Sequence, residues 1–151
     1  LSEYRALLLN QAARKSVRAI NLVMDSVERL EPYDNTREYT SLELEPYDAL
    51  SDRFIRAVEV CIRFFRGFDI YESAVEAETY RDLLNRMEKI GMISSVELWM
   101  DMRDVRNRIV HDYLPEEAKS RFDDIMYRFS DELGRILVRL KEPGSPWNNK
   151  K

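Results

Sequence analysis

The amino-acid sequence predicts an all-α chain folded as an up-and-down bundle of about five helices. Three observations carry this prediction. Apolar residues recur at spacings of three and four along most of the length, as one buried stripe of a helix requires. Helix breakers are scarce, with 4 Gly and 5 Pro in 151 residues, and most fall between the periodic segments. No segment alternates as a strand would. With 44% apolar and 34% charged residues the balance is globular, and the length suits one domain with one main core. The domain is expected over residues 1–142, with a frayed tail over 143–151, where Trp147 offers an anchor.

The first helix is expected to run to about Leu30, with Leu9, Ala13, Ile20, Val23, Val27 and Leu30 on its stripe. A polar connector follows from Glu31 to about Asp48, in which Glu-Pro-Tyr-Asp occurs twice as turn punctuation. Its acids should keep it exposed, mobile or facing a partner rather than in the core. The second helix, about Ala49 to Ile70, carries Phe54, Val58, Cys61, Phe65 and Phe68, widened by Ile55, Ile62 and Phe64. So wide a face belongs to a central helix, although Gly67 leaves its end open. The third is expected from Ser73, with Glu76 completing a capping box, to Gly91. The fourth should start at Ser94 with Glu97, stapled by Ile93 and Leu98, and run through Met102, Val105 and Ile109 to about Tyr113. Pro115 then opens the fifth, with Phe122, Met126, Phe129, Leu133, Ile136 and Leu140 on its apolar face.

Cys61 is the only cysteine, so an internal disulfide and a Cys-based zinc site are excluded. Its place on an apolar helical face marks it as a core thiol. His111 is the only histidine, which excludes any multi-His metal site within one chain. There is no Gly-rich phosphate loop, no His-Glu-x-x-His and no acid cluster with metal spacing. The net charge of −4 argues at first against a nucleic-acid partner. However, the connector alone carries −5, so the remaining helical body sums to +1. No apolar run approaches the roughly 20 residues of a membrane span, and no signal pattern is visible, so a cytoplasmic location is expected.

One segment combines residues that carry chemistry: Arg106-Asn107-Arg108-Ile109-Val110-His111-Asp112-Tyr113, or Arg-Asn-x3-His-x-Tyr. This resembles the signature of the HEPN superfamily in its HepT-like form, and it lies, as there, at the end of a helix before a Pro-led final helix. The resemblance implies a metal-independent RNA endonuclease that needs no cofactor, the toxin of a toxin–antitoxin pair. Carried over by residue, His111 is the general acid/base and Arg106 the phosphate clamp. Asn107 is expected to orient the imidazole or a phosphate oxygen, and Tyr113 to stack on a base or contact the phosphate. The chemistry is consistent with these roles. Attack by the RNA 2′-hydroxyl needs a proton acceptor and a proton donor near neutrality, which imidazole supplies, and a fixed cation at the phosphate, which guanidinium supplies.

The spacing raises one difficulty. Residues five apart on a regular helix point about 140° apart, so Arg106 and His111 do not share a face. A wrapped Arg side chain, a loosened helix before Pro115 or a second subunit would each resolve it. The resemblance favours a homodimer with two motifs facing one cleft. It also implies a nucleotidyltransferase antitoxin, MntA-like, as cognate partner, with Tyr113 as a residue that receives AMP. The alternative is a non-catalytic HEPN binding module that partners a nucleotidyltransferase. A plainer reading makes Arg103, Arg106 and Arg108, interspersed with Asp101, Asp104 and Asp112, an ordinary solvated face, with His111 serving the helix end.

Overall fold

The computed structural model describes residues 2–111 and 114–148. Among them the chain is all-α, with no strand, and its helical segments group into five rods. The first is α1 (Ser2–Arg29), and the second α2 (Ser41–Ser73). The third is α3 (Tyr80–Lys89). The fourth combines α4 (Val96–Arg103) and α5 (Val105–Val110). The fifth runs through α6 (Pro115–Asp123), a π-helical turn (Asp124–Phe129) and α7 (Ser130–Leu140).

The central helix α2 starts eight residues earlier than the periodicity suggests. Thr40 caps it: the Glu43 N–H donates to Thr40 Oγ1 at 3.2 Å, and the Thr40 N–H donates to Glu43 Oε1 at 3.1 Å. The second Glu-Pro-Tyr-Asp string is therefore helical, not punctuation. Pro46 removes one ladder bond, the one to the exposed Leu42, while Tyr47 and Leu50 are buried and hold the turn in place.

The connector corrects a second expectation. Its acids are largely exposed, yet Tyr33 and Tyr47 are buried and join Tyr39 and Phe122 in an aromatic cluster with ring centroids about 5 Å apart. The Tyr47 hydroxyl donates to the Glu31 carbonyl at 2.7 Å, tying the connector down at its start. Repulsion among exposed carboxylates does not stop the tyrosines between them from packing.

Helix α2 also runs past Gly67, because Phe64, Phe65 and Phe68 beside it are all buried and outweigh a propensity cost of about 1 kcal/mol. It ends at Ala74, which adopts φ 57° and donates its N–H to the Ile70 carbonyl. Ser73 is thus a last-turn residue and not a helix start, and Thr79 caps α3 instead. The turn between them is fixed by the buried Asp69 carboxylate, which accepts from the Ala77 N–H at 3.2 Å and pairs with Arg86 at 2.8 Å.

Ser95, one residue beyond the expected position, caps α4 through the Leu98 N–H. Ser94 is drawn elsewhere. Its N–H and Oγ both donate to Glu132, a buried carboxylate that also accepts from Trp99 Nε1 at 2.9 Å.

On the last rod all six residues of the expected apolar face are buried. The π turn adds Ile125 to that face, since its wider turn lets Ile125 point inward together with Phe122 and Met126. Residues 143–148, expected to fray, pack instead. Trp147 is 3% exposed, its ring meets Phe64 and Phe68 edge-on, and its Nε1–H donates to the Leu140 carbonyl at 3.0 Å. Cys61 is fully buried, and burial pushes its thiol up to about 12.

Candidate functional site

The α4–α5 rod is interrupted at Asp104, whose backbone (φ −75°, ψ −6°) departs from helical ψ although its N–H still donates to the Met100 carbonyl and its own carbonyl accepts from the Arg108 N–H. This break precedes the motif. Between Val105 and Val110 the helix is regular, so the two motif residues stay on different faces, as their spacing requires. Arg106 and Asn107 face α2, where Arg106 forms an ion pair with Glu59. Arg108 turns the other way, onto the π turn, and pairs with Asp124 at 2.8 Å. His111 ends the helix as an exposed C-cap residue. Its backbone N–H is bonded to the last turn, and its side chain makes no hydrogen bond among the described residues. Tyr113 lies outside the described residues.

Arg106 and Asn107 open onto a groove of about 640 Å³ between α2 and the α4–α5 rod. Spacing explains both walls. Glu59, Ile62, Arg63 and Arg66 fall at intervals that share one face of α2, and Arg103, Asp104, Arg106 and Asn107 do the same across the gap. Ile55, Val58, Met100 and Met102 contribute apolar surface, and Tyr80, the first residue of α3, contributes to one end. His111 and Arg108 do not line it.

The electrostatics of the groove are lopsided. Four guanidiniums face two carboxylates, and both carboxylates have partners. Glu59 holds Arg106, and Asp104 accepts from Asn107 Nδ2 at 2.9 Å. Arg63 and Arg66 have no ion pair among the described residues, while Arg103 lies over the Tyr80 ring, 4.0 Å from its centroid. Burial pushes the Tyr80 phenol up to about 12, against the opposing pull of Arg103 and Arg66, so it is neutral at physiological pH.

Of the four residues singled out by the motif, then, the fold brings Arg106 and Asn107 together and sets His111 apart. Glu59, Arg63, Arg66, Tyr80 and Arg103 join the first two without having been singled out. The signal of Glu59, Arg63 and Arg66 was present in the sequence as a polar stripe at three and four spacing beside the apolar face of α2, but such a stripe is indistinguishable from a solvated helix face until the opposing wall, with Tyr80 and Arg103, is known. Among the described residues no three metal-ligating side chains come together, and no helix is long and apolar enough to cross a membrane.

No curated protein matches the chain. A family profile does: that of proteins described as nucleotidyltransferase substrate binding protein like matches residues 11–142, a span that holds every groove residue and both Arg106 and His111. The all-α fold of that family also fits the HEPN resemblance of the motif. By this match, which covers most of its length, the chain belongs to the nucleotidyltransferase substrate-binding-protein-like family.

Proposed function

We propose that the chain is a HEPN-like binding module that works as the partner of a nucleotidyltransferase, holding an anionic ligand for it in the α2/α5 groove. The observation that carries this reading is the separation of the motif. Arg106 lines the groove and pairs with Glu59, while His111 stands exposed outside it, so within one chain the two groups are not assembled around one reacting phosphate. A binding site needs no acid/base at the ligand, and an arginine-lined groove with apolar surface supplies both charge and contact area. The family match, through its description, supports the nucleotidyltransferase as the kind of partner. Affinity purification of the intact chain from its native host, scored by mass spectrometry, is expected to recover a nucleotidyltransferase polypeptide. Its absence, together with RNA cleavage that depends on His111, would overturn the proposal.

A second reading rests on the motif itself. Arg106, Asn107, His111 and Tyr113 are all present, as a metal-independent ribonuclease toxin resembling HepT would require. Under it the chain is a homodimer, because one motif supplies one imidazole while the reaction needs both acid and base. Its nucleotidyltransferase partner would be an antitoxin that places AMP on Tyr113, crowding the Arg106 phosphate site with negative charge. This reading requires RNA cut in chelator, a 2′-deoxy substrate resistant at the cut, and activity lost in His111→Ala. Arg106→Ala should cost about two orders of magnitude in rate.

A further inference from the structure

The groove carries more cationic character than its motif residue alone explains. In a chain of net charge −4, four arginines converge on one concavity, and the two carboxylates beside them are each already engaged. Arg63 and Arg66, one turn apart on α2, leave two guanidinium forks without a carboxylate among the described residues. Such forks suit the paired oxygens of phosphate. Apart from Asn107 the rest of the lining is apolar or aromatic, and the sulfur-bearing Met100 together with the Tyr80 ring suits a flat aromatic group. The volume of about 640 Å³ lies within the range of small-ligand clefts, roughly 300–1,000 Å³.

From this juxtaposition we infer that the groove binds a nucleoside polyphosphate, its phosphates on Arg63, Arg66 and Arg106 and its base toward Tyr80 and Met100. The inference rests on the binding-module reading and names the ligand class of that site. Glu59 acts as the internal stand-in for the ligand. It occupies Arg106 while the groove is empty and gives way when a phosphate takes its place. Arg103, held over Tyr80, closes the base end. No covalent step is involved.

The test is calorimetric titration of the intact chain with ATP, inorganic tripolyphosphate, adenosine and a ten-nucleotide RNA, without divalent cations. ATP is expected to bind saturably at one site per chain, more tightly than tripolyphosphate or adenosine. Arg63→Gln and Arg66→Gln, both on the accessible side of α2, should each weaken ATP about tenfold while leaving the helical circular dichroism unchanged. Glu59→Gln should tighten it about threefold by releasing Arg106. The inference is overturned by absent ATP binding, by tripolyphosphate binding as tightly as ATP, by unchanged affinity in the double variant R63Q/R66Q, or by the RNA binding more tightly than ATP. Because the isolated chain is titrated, absent ATP binding leaves recovery of a nucleotidyltransferase unaffected, and failure of that recovery leaves the titration standing.

Discussion

Tyr80 and Cys61 each bury an acid whose charged form the interior excludes. Both are shifted upward to about 12, Cys61 from an ordinary thiol and Tyr80 from an ordinary phenol, with desolvation as the leading cause. The folded state therefore holds these protons where the unfolded chain has released them. The stability they contribute is present in full below their unfolded values and is lost as pH rises through the folded ones. Thermal melts are expected to fall steadily as pH is raised from about 9 towards 12, and Tyr80→Phe should flatten the upper part of that fall. A Tyr80→Phe profile that matches wild type would show that another group sets the alkaline limit. Cys61 illustrates what single residues disclose in advance. A lone cysteine inside an apolar stripe has few fates, and its burial was legible. Arg106 illustrates the opposite, since its residue type announces a phosphate contact but its spacing cannot reveal that Glu59, far away on α2, will meet it first.

Helix bodies were legible from periodicity, and helix ends were not, because an end is decided by a competition among several capping side chains within a few residues. Thr40 and Ser95 won that competition over the positions that pattern alone suggested. At α4 the outcome depends on Glu132, which lies 38 residues beyond Ser94 and draws it away from the capping position. Glu132 thereby fastens the start of the motif rod to the last rod, with Trp99 as a third tie. The carboxylate is buried and every bond to it is charge-assisted, so removing it leaves Ser94 and the Trp99 N–H without their acceptor. Glu132→Ala is expected to destabilise the chain by about 3 kcal/mol in urea titrations. Thr40→Ala, which loses one exposed capping box, should cost about 1 kcal/mol. Equal costs would mean that the Glu132 network is no stronger than an ordinary cap. Helix position also bears on the groove, since the Asp104 break and the Arg108–Asp124 ion pair onto the π turn together set how the motif face meets α2.

At the scale of the whole molecule, the helices dispose of their apolar stripes against one another, and α2, with the widest stripe, takes the centre that its composition foretold. The boundary of the fold was harder to see. Residues after Pro143 have the composition of a loose tail, yet the chain comes back to close the core with an indole. Asn10 Nδ2 donates to the Trp147 carbonyl at 2.6 Å, so the C-terminal segment is bound to α1 as well as to α2. Asn148 Nδ2 and Trp147 Nε1 both donate to the Leu140 carbonyl, one of the acceptors that the end of α7 leaves without an intrahelical partner. Trp147 therefore fills a core position and its neighbour completes a helix end. Truncation after Glu142 is expected to cost at least as much as Trp147→Ala, about 3–5 kcal/mol, read as a lower urea midpoint. Trp147→Phe should recover part of that loss by keeping the edge-on contacts with Phe64 and Phe68 while losing the N–H bond. If the truncated chain instead melts with the same midpoint as the full one, the core is complete without the indole and the segment merely rests on it.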